Sequence, residues 1–203
     1  MGDTKERILQ TALTLFAEKG YAAVSVSDIA GALGITKGAL YRHYQSKRDI
    51  FDSIVSRMAQ RDAAQADADG MPAGTIADMP EAYRAATVDN AVAFAKSMFR
   101  YWTQDPFASA FRRMLTLEQY KSPEMGALYR QYLAAGPVGY MEDLFKSLGL
   151  PRAYDQAVAF YAPMFLLYSV YDGAADKPAV LSTLDALMED TREQLNRQLK
   201  DMR

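Results

Sequence analysis

Cysteine is absent from the 203 residues, and histidine occurs once, at position 43. The first absence removes disulfides, thiolate metal sites, iron–sulfur clusters and cysteine nucleophiles together. The second rules out a multi-histidine metal centre and leaves only His43 for a Ser-His-Asp site. There is no Walker loop and no G-x-G-x-x-G, so no cofactor or metal is expected. Aspartates and glutamates fall mostly on polar faces or helix starts, and nothing positions a nucleophile, which argues against an enzyme. The most apolar stretch, Tyr161 to Tyr171, is shorter than the roughly 20 residues of a bilayer span. Met1 to Arg7 is polar, with no apolar h-region behind a basic start, so no secretion signal is read and a cytoplasmic protein is expected.

What is present is ordinary globular composition with a helical rhythm. Half of the residues are hydrophobic and 24% are charged, enough to bury a core without staples. Ile8, Leu9, Ala12, Leu15 and Phe16 form one face of a first helix that ends at Lys19-Gly20. Asp3 with Glu6 has capping-box spacing at its start. Ser25 with Asp28 opens a short second helix that stops at Gly34. Thr36 caps a third, to about Tyr44, and Ser46 with Asp49 caps a fourth. From Ala63 to Pro80, alanine, aspartate, glycine and proline dominate, and this predicts the end of the fourth helix, a loop with an irregular turn, and the main domain boundary. Helices follow over 81–101, 106–120, from Ser122-Pro123 to 148 with an interruption at Gly136-Pro137, 151–171 and 180–200. No alternating strand pattern occurs. The expectation is an all-α chain with two domains, 1–60 and 61–203.

Residues 25–44 have the layout of a helix-turn-helix. Ala30 is small where two helices must cross, Gly34 suits the tight turn, and Ile35 plugs the corner. The outer face of the second helix is small, polar or basic. Gly38 and Ala39 permit close approach to base edges, and Lys37 and Arg42 can donate to guanine O6 and N7. Tyr41, His43 and Lys47 suit phosphate contacts. Between 36 and 50, Lys37, Arg42, Lys47 and Arg48 stand against Asp49 alone, a local charge of +3 on a chain whose total is −2. Such a patch suits an anionic partner, although a solvated helix face also reads this way.

These segments resemble the tetracycline-repressor (TetR) family. The resemblance rests on the runs 15–21, 25–30 and 33–41, together with Tyr44, Ser46-Lys47 and Ile50-Phe51, about a quarter of the chain. It implies a homodimeric, ligand-responsive transcription regulator, usually a repressor, on a palindromic operator, nucleoid-associated when bound. By position it implies DNA contacts at Ser25, Ser27, Thr36, Lys37, Gly38, Ala39, Tyr41, His43 and Lys47. Tyr44 stands where the family more often has Phe, and Arg42 occupies a variable position.

The remainder is rich in aromatics and methionine. Met98, Phe99, Trp102, Phe111, Met114, Tyr129, Leu133, Tyr140, Tyr161, Phe165 and Tyr168 are candidates for a pocket holding a small apolar or aromatic effector, and also for plain core. Pro137 and Pro163 each remove a backbone hydrogen bond, so carbonyls near Leu133 and Ala159 need other partners. Ala157, Leu166 and Val170, with Leu181, Leu184, Met188 and Leu195, are candidates for a dimer surface on the last two helices. A helical small-molecule binder with subsidiary or lost DNA binding is the alternative reading. It has no use for the basic patch.

Overall fold

The computed structural model describes residues 2–202, with side chains from Thr4. The expected Asp3–Glu6 capping box lies outside the described residues. Every regular element among them is a helix: α1 Gly2–Lys19, α2 Val26–Ala32, α3 Lys37–Tyr41, α4 Lys47–Ala68, α5 Pro80–Ala85, α6 Val88–Gln104, α7 Pro106–Glu118, α8 Pro123–Leu133, α9 Ala135–Ser147, α10 Ala153–Gly173 and α11 Lys177–Asp201. No helix among the described residues is long and apolar enough to cross a membrane.

The chain packs as two units. One is residues 1–61 with 106–129, and the other is 62–105 with 130–203. Two of the three unit boundaries fall inside α4 and inside α8, each of which contributes residues to both, and the third lies between α6 and α7. In the first unit α1 lies against α7 and α2. Ile8, Ala12, Leu13 and Phe16 of α1 and Phe107, Phe111, Met114 and Leu115 of α7 are buried at its centre. Tyr44 joins this core, and its hydroxyl donates to the Lys5 carbonyl at 3.5 Å.

Gly20 ends α1 at φ +85, where an L side chain is strained. A Cβ added there would lie 2.7 Å from Glu118 Oε1. That oxygen accepts from the Tyr21 N–H at 3.2 Å. Gly20→Ala therefore combines left-handed strain with displacement of a buried carboxylate. Thermal unfolding should show a loss of about 1–2 kcal/mol. An unchanged melting temperature would mean that the turn relaxes freely.

In the second unit α10 packs on α9, α11 and α6, and α6 packs on α11. Lys96 pairs with Glu189, Arg100 with Asp185 at 2.7 Å, and Arg192 with Asp89 at 3.5 Å, fastening α6 to α11. Helix α4 ends at Ala68, within the stretch expected to hold its end, because the alanine-rich segment favours helix more than its aspartates oppose it. Two boundaries differ from the sequence expectation. The stretch expected as one helix from 81 divides at Ala86-Thr87, where Thr87 and Asn90 close a capping box. The break before α9 falls at Ala134, ahead of Gly136-Pro137. Gly136 lies so close to the Gln131 carbonyl that any side chain would collide with it.

Candidate DNA-binding surface and effector region

The first surface is built from caps. Ser25 Oγ accepts from the Asp28 N–H at 3.1 Å, and the Ser25 N–H donates to Asp28 Oδ2 at 2.7 Å. Hydrogen bonds from the Ser25 hydroxyl, and then from its N–H, hold the Asp28 carboxyl below its ordinary pKa. Ile29 and Ala30 face inward. Gly34 turns the chain at φ +66, and the Ile35 N–H closes the turn on the Ala30 carbonyl at 3.0 Å. Thr36 Oγ1 then accepts from the Ala39 N–H at 3.1 Å, capping α3.

Leu40 is fully buried and fixes the rotation of α3 about its axis. Thr36, Lys37, Gly38, Tyr41 and Arg42 consequently lie exposed, as do Ser25 and Ser27 at the start of α2, while Ala39 and His43 are half-buried. A Cβ on Gly38 would meet nothing nearer than Thr36 Oγ1 at 4.0 Å, and its φ is not left-handed. Neither internal packing nor backbone strain calls for glycine at that position. The missing side chain instead leaves the outer backbone open to an approaching body.

Lys47 departs from expectation. Its Nζ donates to the Tyr21 and Val24 carbonyls at 2.8 Å each and to Ala22 at 3.4 Å, and sits 4.3 Å from the Tyr21 ring centroid. Its three N–H donors are thus met by the loop after α1, where the sequence reading expected them to face phosphates. The signal was hidden because the acceptors lie some two dozen residues upstream. Arg48 is also engaged, in a bidentate pair with Glu124 at 2.8 and 2.6 Å and with Asp52 at 2.8 Å. The outward charge of the basic strip therefore reduces to Lys37 and Arg42.

The candidate pocket residues divide between the units. Phe111 and Met114 are fully buried on α7, and with Tyr129 they belong to the first unit, while the remaining candidates belong to the second. Phe165 is 46% exposed on α10 and lines no interior. Phe99 stacks on Tyr168 at 4.9 Å as core. Tyr161 donates its hydroxyl to the Leu133 carbonyl at 3.1 Å, the acceptor that Pro137 leaves without a helical partner. Met98 is half-buried. Tyr140 lies against Tyr83 and Phe94, and its buried hydroxyl has no partner among the described residues. Burial, with Tyr83 adding to it, pushes the Tyr140 pKa well above the ordinary range.

Asp62 was not singled out in the sequence, where it opens an Ala-Asp run that reads as solvated. Its Oδ1 is buried with no partner among the described residues, and the Trp102 indole donates a hydrogen bond to the carboxylate. Burial pushes its pKa up to about 6, and the Trp102 bond partly offsets the rise.

The dimer candidates also divide. Ala157, Leu184, Met188 and Leu195 are buried within their own subunit, so they are not available to a partner. Their stripe is the inner face of α10 and α11, and helical spacing does not distinguish cover by the chain itself from cover by a second chain. Leu181 is half-buried, and Leu166 and Val170 are exposed. Leu166 and Val170, with Tyr154, Val158 and Phe165, are the exposed large apolar residues of α10, and Leu187 of α11 is exposed as well.

Residues 8–54 match the family described as bacterial regulatory proteins, tetR family. An uncharacterized HTH-type transcriptional regulator of Bacillus subtilis, YerO, is 51% identical over 50 residues, covering 25% of this chain and 17% of that protein. The negative transcriptional regulator IcaR of the biofilm operon icaADBC in Staphylococcus aureus is 43% identical over 51 residues, 25% of this chain and 27% of its own length. The chain thus matches about a quarter or less of the length of these relatives. A TerR/AcrR-family transcriptional regulator from Aquifex aeolicus shares the fold, with a TM-score of 0.66 at 18% identity, over 92% of this chain and 98% of that one.

Proposed function

We propose that this chain, whose residues 8–54 match the tetR family of bacterial regulatory proteins, is a sequence-specific transcriptional repressor of that family. Two copies bind a palindromic operator, and a small effector releases them. The observation that carries the reading is the outer face of α3. There Lys37, Gly38, Tyr41 and Arg42 are exposed, and glycine has no internal reason to stand at 38. Residues 1–60 are the DNA-binding domain, and 61–203 bind the effector and the second copy. No catalytic step is assigned, and the protein works in the cytoplasm, on the nucleoid when bound.

The exposed stripe of α10 supports self-association, since an apolar helix face of that length needs cover. In a two-fold dimer the paired α3 helices address half-sites about 34–36 Å apart or a multiple of that. Effector coupling of about 1–3 kcal/mol suffices to break simultaneous engagement.

Selection of bound sequences from a randomised duplex pool at moderate salt tests this. The expected product is a two-fold symmetric motif. Recovery only of salt-sensitive, motif-free DNA by folded, ligand-free protein would move the small-molecule binder to first place. Repeating the selection with Arg42→Ala should relax one base pair per half-site, a discrimination of about 1–3 kcal/mol. An unaltered motif would remove Arg42 from base readout.

A further inference from the structure

We propose that Asp62 is the anchoring group of the effector site, and that the effector is an arylalkylamine-type cation whose ammonium donates to Asp62 Oδ1 while its apolar body lies along Trp102 and Tyr132. The inference rests on the ligand-responsive reading above and specifies its chemistry.

Asp62 lies on α4 within the second unit. A carboxylate removed from water is costly unless it is paired and hydrogen-bonded. Asp62 has half of what it needs. The Trp102 indole of α6 satisfies one oxygen, and Oδ1 is buried with nothing to accept from among the described residues. From α8 the group facing it is Tyr132, whose own ionisation is opposed first by burial and then by the Asp62 charge. No lysine or arginine pairs with Asp62 among the described residues. The Trp102 and Tyr132 rings lie 6.1 Å apart at 52°, and Tyr132 is half-buried. Two aromatic faces beside an unsatisfied carboxylate suit a hydrophobic cation, which gains from the charge and from both rings. A neutral apolar molecule would leave Oδ1 unsatisfied, and an anion would be repelled. The effector thus carries a positive charge, which the expectation of a small apolar or aromatic molecule did not specify.

Trp102 is the only tryptophan in the chain, so its fluorescence reports on the site directly. The probes are 4-phenylbutylamine, 4-phenylbutanol and 4-phenylbutyrate, titrated without DNA into the full-length wild-type protein and Asp62→Asn. The amine is expected to bind the wild type about tenfold or more tightly than the alcohol, with the carboxylate weakest. Asp62→Asn should abolish that order while keeping affinity for the alcohol. Equal or weaker binding of the amine, persistence of its preference in Asp62→Asn, or no binding of any probe would each overturn the assignment. A second readout needs no probe. A carboxyl whose folded pKa is raised costs stability as pH rises through the window from 3.8 to about 6. The melting temperature of Asp62→Asn should therefore gain on the wild type across that window, and a constant difference would count against a buried carboxylate. Amine binding that leaves the selected operator complex intact would sink the ligand-release reading and leave the Asp62 site standing.

Discussion

Leu166→Glu combined with Val170→Glu yields a folded monomer whose affinity for the selected palindrome is at least about a hundred-fold lower, because the second half-site no longer binds as part of the same molecule. Leu166 is 64% exposed and Val170 is 45% exposed. Neither is part of the subunit's own core, so the melting profile of the monomer should keep its cooperativity. Each substitution counts twice across a two-fold interface. Each removes an apolar contact worth about 1.5–3 kcal/mol when fully buried, and each would place a carboxylate in the apolar surface of the proposed interface. Leu184→Glu is the informative contrast. Leu184 is fully buried within the subunit, so that change should unfold the second unit. Light scattering with a DNA titration decides the matter. A dimer of unchanged affinity would mean that this stripe is covered by something other than a second copy.

Lys47→Met lowers stability and leaves the salt dependence of DNA binding as it is. An ammonium has three donors, and the loop after α1 presents three carbonyls to it. Hydrogen bonds to a charged group contribute about 1.5–3 kcal/mol each. Lys47 is half-buried and the Ala22 bond is long, so about 2–3 kcal/mol is expected in total, or roughly 5–10 °C in melting temperature. Methionine keeps the stem and removes the donors. Arginine should restore little, since its planar fork does not reproduce three convergent bonds. An unchanged melt together with a salt slope smaller by about one would return Lys47 to the phosphates.

Local grammar carried most of the first unit. The Ser25–Asp28 box, the turn at Gly34, the Thr36 cap and the Ser122-Pro123 start each need residues only three or four apart, and each is in place. Even the Leu133 carbonyl could be anticipated as an orphan of Pro137, though not that Tyr161 would fill it. What the sequence concealed depends on distance along the chain. Nothing near Lys47 indicates that its acceptors are Tyr21, Ala22 and Val24, and nothing near Arg48 indicates Glu124. The packing of α7 against α1 joins residues about a hundred positions apart. The same limit governs α10 and α11, where the inner and outer apolar stripes have equal periodicity and only the assembled subunit separates Leu184 from Leu166. Asp62 was masked by its neighbours, because alanine beside aspartate gives no hint that one carboxylate is enclosed.

The internal commitment of Lys47 and Arg48 changes how such a protein would find its operator. Attraction to arbitrary DNA grows with the number of counterions that mobile cations displace from the duplex. Here two of the four cations in the strip are already occupied before DNA arrives, and the chain as a whole is slightly acidic. On the proposed reading, encounters with random sequence would be brief, and genomic DNA would compete weakly as a decoy. Target location would proceed by repeated short landings from solution more than by long one-dimensional slides. The residence time on the operator would be set by the fit of α3 in the groove and by the two-fold pairing of subunits. An effector that disturbs only that geometry can clear the site quickly, because little undirected charge attraction holds the protein to the chromosome.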